Sequence, residues 1–179
     1  MQRRVTLALQ RFEQVDLKLC RCLNRSIDFP SIRQFFRAIG WLGNGWFWYA
    51  LIACLPWLYG RSGTFTAMQM LATGFAGVVI YKMIKQRAVR ERPFVTHSTT
   101  IYCASAPLDR YSFPSGHTLH AVSFTLLMVH AFPEWTVPLA AFAGLVALSR
   151  MVLGLHYATD VAAGAMLGAG LAALSVLIA

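Results

Sequence analysis

The fold is decided at the C-terminal end of the chain, where residues 136–179 read TVPLAAFAGLVALSRMVLGLHYATDVAAGAMLGAGLAALSVLIA. Two apolar runs, at about 136–153 and 159–179, each approach the roughly 20 residues that cross a bilayer as a helix. Polar residues stand at the junction of the two runs, namely Ser149, Arg150, His156 and Asp160. This pattern predicts two antiparallel membrane-spanning helices joined by a short polar connection.

Three further apolar runs precede this pair, at about 41–59, 64–81 and 118–132. Hydrophobic residues make up 57% of the 179 residues and charged residues only 13%, whereas a soluble domain carries about 25% charged residues. Lipid is therefore the predicted solvent. We predict an all-α fold, a polytopic membrane helical bundle of about five transmembrane helices preceded by an amphipathic helix or helices.

Residues 1–40 are predicted to form an N-terminal segment ahead of a transmembrane domain at 41–179. Apolar residues recur at three- and four-residue steps from Val5 to Ile27, and basic residues fall largely on the other face. This pattern is typical of a basic amphipathic helix in a membrane interface, and it fits a helix packed on the rest of the protein equally well. The net charge of +9, in so apolar a chain, favours an anionic membrane surface or an anionic substrate over nucleic acid.

Three polar motifs interrupt the apolar pattern. They are Lys85 with Arg92 and Pro93, then Pro114, Ser115, Gly116 and His117, and finally Ser149 and Arg150 with His156 and Asp160. The second span ends and the third begins at one face of the membrane, because consecutive spans run antiparallel. The fourth span ends and the fifth begins at the same face. The three motifs are therefore predicted to converge at one end of the bundle.

The third motif has the composition of a nucleophile site. His156 and Asp160 are four residues apart, so they share one face of a helix. Asp160 is the acid inside an apolar run, and its predicted role is to accept the Nδ1–H of His156 and leave Nε2 free to attack. Lys85, Arg92 and Arg150 supply positive charge, which suits a phosphoryl group because its transfer depends on positioning and electrostatic stabilisation.

The second motif lies where the third span begins. Ser115 and Gly116 are predicted to offer a hydroxyl and a backbone N–H to an anion at a helix N-terminus. His117 is predicted to be the general acid that protonates the leaving lipid alkoxide.

Together, the three motifs resemble the three-part signature of the type 2 phosphatidic acid phosphatase (PAP2) family, which are membrane lipid phosphatases related to vanadium haloperoxidases. The resemblance covers residues 85–160. It implies a helical bundle, a phosphohistidine intermediate at His156, and no metal or other cofactor. The phosphate-binding residues that it implies are Lys85, Arg92, Ser115, Gly116 and Arg150, with His117 as the general acid.

We therefore predict an integral membrane lipid phosphatase. Its substrate is a phosphomonoester or diphosphate on a lipid, such as phosphatidic acid, phosphatidylglycerophosphate, a polyprenyl diphosphate or a lipid A phosphate, and membrane lipids are its other predicted partners. The identity of the lipid and the oligomeric state are left open. The alternatives are a lipid-to-lipid phosphotransferase, a membrane cytochrome with haem held by His120 and His156, and a non-catalytic membrane binding or scaffold protein.

The predicted location is the cell membrane, as a multi-pass protein of the bacterial inner membrane. Nearly all lysine and arginine residues fall at the predicted active-site end, and Arg61 falls at the other end. The positive-inside rule then predicts an active site on the cytoplasmic side. Bacterial members of the resembled family often face the periplasm, which favours the opposite orientation.

Overall fold

The computed structural model describes residues 2–107 and 109–179, and the side chains from residue 13 onward. These described residues form helices and no β-strand, which confirms the predicted all-α class. The helices are α1 (Gln2–Asn24), α2 (Pro30–Trp41), α3 (Phe47–Ala88), α4 (Pro93–Thr96), α5 (Gly116–Ala131), α6 (Thr136–Val152) and α7 (Ala158–Ile178). Single turns of tighter or wider helix occur at Arg25–Asp28, Leu42–Trp46 and Pro133–Trp135.

Helix α3 contains the first two predicted spans, because it folds back on itself at Gly60. This residue has φ of 57° and ψ of −128°, a conformation that only glycine adopts without steric strain. A Cβ atom on Gly63 would collide with the carbonyl oxygen of Leu55. The two halves, 47–59 and 61–88, therefore run back along each other as an antiparallel pair.

Three helical stretches are long and apolar enough to cross a membrane: Pro30–Thr96, Pro133–Val152 and Ala158–Ile178. The first of these contains the α3 hairpin. Helix α5 has 16 residues and is only about 24 Å long. It packs against α3, α6 and α7, and its buried residues are distributed around the whole helix, as is typical of a central helix.

Helix α7 lies close to α5 because two of its glycines face that helix. A Cβ atom on Gly164 would collide with the carbonyl oxygen of Ser115, and one on Gly168 with the carbonyl oxygen of Leu119. Such spacing of small residues lets two helix backbones approach. The Ser115 N–H also donates to the carbonyl oxygen of Asp160 at 3.0 Å. The second and third polar motifs are therefore held together directly through the backbone.

Helix α1 packs on α6 and α7. Cys20 is fully buried, and the Asn24 amide donates to the carbonyl oxygens of Tyr102 and Val152 at 3.0 and 2.9 Å. The side chains of residues 2–12, which include the first part of the predicted amphipathic stripe, lie outside the described residues. The division of the chain near residue 40 and the interfacial location of α1 stay predictions.

We expect Gly168→Ala to lower the thermal stability of the protein in detergent. The added methyl group would meet the α5 backbone, and overpacking of this kind costs about 1–3 kcal/mol. The matched control is Gly170→Ala two residues along α7, where no atom lies within 4 Å of the new Cβ. The temperature at which half of the protein aggregates measures both changes, and an equal effect of the two variants would contradict this packing.

Candidate active site

The three polar motifs meet at one end of the bundle around a cavity of about 360 Å³. Its lining includes Lys85, Arg92, His117 and His156. These residues come from the end of α3, the residue preceding α4, the first turn of α5 and the connection between α6 and α7. The structure thus brings side chains from all three motifs to one place.

His156 lies in the connection 153–157 and is 2% exposed. Its Nε2 lies 3.3 Å from Nη1 of Arg92, and its Nδ1 lies 3.7 Å from Oδ2 of Asp160. A guanidinium group has no acceptor, so Nε2 faces Arg92 with its lone pair and the ring proton lies on Nδ1, toward the carboxylate. Burial lowers the pKa of His156 to about 4, so the imidazole is neutral at ordinary pH.

Asp160 is completely buried and is held by three groups. Its Oδ1 accepts from Nη1 of Arg90 at 2.6 Å, and its Oδ2 accepts from the backbone N–H of Tyr157 at 2.9 Å. The 3.7 Å separation from His156 exceeds a hydrogen-bond distance, so that contact is electrostatic. Arg90 also pairs with Asp16 of α1 at 2.7 Å. A single arginine therefore forms ion pairs with two buried carboxylates.

Lys85 and Arg92 are buried cations that share one acidic partner, Asp109. Nζ of Lys85 donates to both carboxylate oxygens of Asp109 at 2.8 Å, and Nη2 of Arg92 donates to Oδ1 at 2.7 Å. Partial burial raises the pKa of the Asp109 carboxyl, but hydrogen bonds from Lys85 and Arg92 lower it more, so the pKa lies below its ordinary value. Asp109 is therefore an ionised carboxylate at the edge of the cavity.

The remaining predicted phosphate ligands differ in their surroundings. Gly116 lines the cavity, and Ser115 and Arg150 are not among its lining residues. The Ser115 hydroxyl caps α5 by accepting the N–H of Thr118 at 3.4 Å. Arg150 is buried and donates from Nε to the Ser149 hydroxyl at 3.0 Å. Its Nη2 has no hydrogen-bond partner among the described residues.

His117 occupies the first turn of α5, and its Nε2 forms a hydrogen bond with Oδ1 of Asn44. Asn44 lies in the wide turn Leu42–Trp46 between α2 and α3. The next residue, Gly45, has a φ of 123°, which is a conformation that favours glycine. The segment before the three motifs therefore contributes a direct contact to the site.

Sequence analysis did not predict three residues that the structure places at the site, which are Asn44, Arg90 and Asp109. A signal for Asp109 exists, since it is the only acid between Arg92 and Pro114. Arg90 precedes Arg92 by two residues and reads as one more basic residue at the membrane face. Asn44 carries no sequence signal, because its contact with the site depends on how α2 and α3 are joined.

Among the described residues, no three histidine, cysteine, aspartate or glutamate side chains come together as a metal site. Both ring nitrogens of His156 already face charged groups, which are Arg92 and Asp160. An axial haem ligand needs a free ring nitrogen. The geometry therefore disfavours the alternative of haem held between His120 and His156.

The sequence profile of the PAP2 superfamily matches residues 66–179, well over half of the chain. The chain belongs to the PAP2 superfamily. This membership confirms the resemblance carried by the three motifs.

The chain is similar in sequence to two bacterial phosphatases. The chain is 34% identical to the undecaprenyl-diphosphatase BcrC of Bacillus subtilis over 63% of the chain, and the match spans 58% of that relative's length. It is 30% identical to the decaprenylphosphoryl-5-phosphoribose phosphatase of Mycobacterium tuberculosis, over 83% of the chain and 81% of the relative.

Two solved structures share the fold. A PAP2 type phosphatidylglycerolphosphate phosphatase from Bacillus subtilis has a TM-score of 0.74 at 24% identity, over 94% of this chain and 86% of that one. LpxE of Aquifex aeolicus has a TM-score of 0.79 at 23% identity, over 90% of this chain and 94% of that one. These likenesses confirm the helical membrane bundle.

We expect Arg90→Gln to destabilise this PAP2 protein strongly. The change leaves the buried carboxylates of Asp16 and Asp160 without their cation, and breaking a buried ion pair from one side costs about 3–5 kcal/mol. Arg87→Gln is the control, because Arg87 is an exposed arginine at the same end of α3. Thermal unfolding in detergent compares the two, and similar midpoints would show that Arg90 does not hold the site together.

Proposed function

We propose that the chain is an integral membrane lipid phosphatase in which His156 is the nucleophile. The observation that carries this proposal is the shape of the cavity, which joins a cluster of cations and histidines at one end to an apolar arm between the helices.

The apolar arm suits the tail of a lipid. It extends from the histidines between the two halves of α3 and the central helix α5, and its lining includes Trp48, Ile52, Met70, Leu71, Phe75, Val78 and Phe124. Ligand pockets combine an apolar lining with a few polar groups that fix orientation. A water-soluble phosphate ester would leave this arm unfilled, whereas a phosphate attached to an acyl or isoprenoid chain fills both ends.

The charged end suits a phosphoryl group. Lys85 and Arg92 line it, and the buried Arg150 has an Nη2 group that lacks an acceptor among the described residues. A buried donor without a partner is costly, and a phosphate oxygen would relieve that cost. Gly116 lies at the N-terminus of α5, where free backbone N–H groups attract an anion.

The chemistry uses the two histidines in turn. Nε2 of His156 attacks phosphorus, the bond from phosphorus to the leaving oxygen breaks, and His117 gives its proton to that oxygen. The leaving group is a lipid alkoxide for a phosphomonoester and a lipid monophosphate for a diphosphate. Asp160 stabilises the positive charge that develops on the His156 ring. Water then attacks the phosphohistidine, His117 takes the proton of that water, and inorganic phosphate leaves with His156 restored.

The relatives suggest which lipids to test first. The names of two of them refer to phosphates carried on polyprenyl chains, and other PAP2 relatives include a lipid A 1-phosphatase of Rhizobium johnstonii. We propose an isoprenoid phosphate or diphosphate as the first substrate to examine, beside phosphatidic acid, phosphatidylglycerophosphate and lipid A. A phosphotransferase would use the same intermediate with a lipid acceptor in place of water.

We expect His156→Ala to abolish phosphate release from these lipids, because no other group in the proposed mechanism can form the covalent intermediate. The wild-type protein is expected to keep its activity in EDTA. His130→Ala is the matched control, since His130 is an exposed residue at the opposite end of α5. Phosphate release in detergent measures all three proteins.

Equal release by wild type and His156→Ala would refute the histidine mechanism. Loss of lipid phosphate without appearance of inorganic phosphate would instead identify the phosphotransferase.

We also propose that the protein lies in the bacterial inner membrane with its active site on the cytoplasmic side, which the concentration of basic residues at that end supports. A reporter fused after Ala179 is then expected to read as non-cytoplasmic, and one fused before Met1 as cytoplasmic. The two reporters are expected to give opposite signals, because α7 begins at the site and ends at the other side of the bundle, whereas α1 packs near the site. Each fusion is therefore a control for the other. The reverse pair of signals would place the active site on the periplasmic side.

A further inference from the structure

The carboxylate of Asp109 occupies the space between the two cations that the proposed function assigns to the substrate phosphate. Nζ of Lys85 lies 2.8 Å from each carboxylate oxygen, and Nη2 of Arg92 lies 2.7 Å from Oδ1. A carboxylate carries negative charge on two oxygens that only accept hydrogen bonds, as the terminal oxygens of a phosphoryl group do. Asp109 therefore makes the contacts that a phosphate would make.

While the Asp109 carboxylate is bound to Arg92, few N–H groups of that guanidinium are available to a phosphate. The guanidinium has five N–H groups. Those on Nη1 face the Leu155 carbonyl oxygen at 2.8 Å and Nε2 of His156 at 3.3 Å. The Nε–H donates to the Asp109 carbonyl oxygen at 3.0 Å, and one Nη2–H donates to the Asp109 carboxylate. Only one N–H is left among these contacts, so a phosphate can use both N–H groups of Nη2 only when the carboxylate leaves.

Asp109 is the partner that can leave. Its side chain is 37% exposed, against 9% for Lys85 and 4% for Arg92. The two cations are fixed at the end of α3 and next to α4. Asp109 lies in the connection between α4 and α5, which carries no helix in its described residues. Its displacement would therefore expose a carboxylate to water without disturbing a helix.

Differences in charge and in the lipid tail allow the substrate phosphate to displace the Asp109 carboxylate and the carboxylate to displace inorganic phosphate afterwards. A phosphate monoester carries up to two negative charges and more oxygens than a carboxylate, so it can accept more hydrogen bonds than Asp109 does. A substrate whose tail fills the apolar arm gains further contacts and displaces Asp109. Free phosphate has no such tail, so the returning carboxylate competes with it more effectively.

We propose that Asp109 is an internal competitor for the phosphate subsite, which discriminates against free anions and promotes the release of inorganic phosphate. This inference rests on the proposed function, because it concerns the same subsite. The contrasting role is that of a fixed positioning residue, which holds Lys85 and Arg92 in the geometry that phosphate needs. The two roles predict opposite effects of removing the carboxylate.

The test is the binding of inorganic phosphate to the full chain in detergent, without lipid, at constant ionic strength. Titration calorimetry is expected to show that Asp109→Asn and Asp109→Ala bind phosphate about tenfold more tightly than wild type, equivalent to about 1.4 kcal/mol. Asp109→Glu restores a carboxylate and is expected to return toward the wild-type affinity. Glu91→Gln is the matched control for charge, because Glu91 is an exposed acid beside Arg92.

Unchanged or weaker binding in either the Asn or the Ala variant overturns the proposal, and weaker binding assigns Asp109 the positioning role. Equal tightening in Glu91→Gln also overturns it, because the effect would then come from general electrostatics. Since this measurement needs no turnover, it is independent of whether His156→Ala loses lipid phosphatase activity. Failure of the competitor role and failure of the proposed function are therefore seen in different experiments.

Discussion

A carboxylate that is closed off from water must be matched by nearby positive charge or hydrogen-bond donors, and Asp160 imposes this requirement on the whole site. It is met by Arg90 and by the backbone N–H of Tyr157. Arg90 in turn is tied to Asp16 of α1, and the carbonyl oxygen of Asp160 accepts from Ser115 at the start of α5. The beginnings of two membrane helices, the end of a third and the N-terminal helix are therefore linked at one buried charge.

Much of the architecture follows from the sequence, because membrane spans and polar motifs leave separate signals. Apolar runs locate both halves of α3 and the helices α5, α6 and α7, because helices of a membrane bundle are apolar along most of their length. The convergence of Lys85, Arg92, His117 and His156 follows from the alternation of helix direction. These inferences need only the order of the elements along the chain.

The parts that the sequence could not supply depend on how loops and helices pack in three dimensions. The contact of Asn44 with His117 arises from a glycine-containing turn whose path no periodicity encodes. The pairing of Asp109 with Lys85 and Arg92 requires a connection without regular structure to fold across the cavity. Arg90 has the same sequence signature as an arginine that anchors a helix at the membrane face, and only its two acidic partners distinguish it.

The contacts of Asn44 and Asp16 with the site show that the chain cannot be cut into an N-terminal segment and an independent site-bearing domain. Both residues lie before residue 66, where the match to the superfamily profile begins, yet one contacts a site histidine and the other shares an arginine with Asp160. The segment that matches the profile, residues 66–179, therefore does not contain all of the residues that contact the site. Chimaeras that exchange the first third of the chain between relatives would replace part of the surroundings of the candidate site. Natural variation in that segment can therefore change the candidate site while the three motifs stay the same.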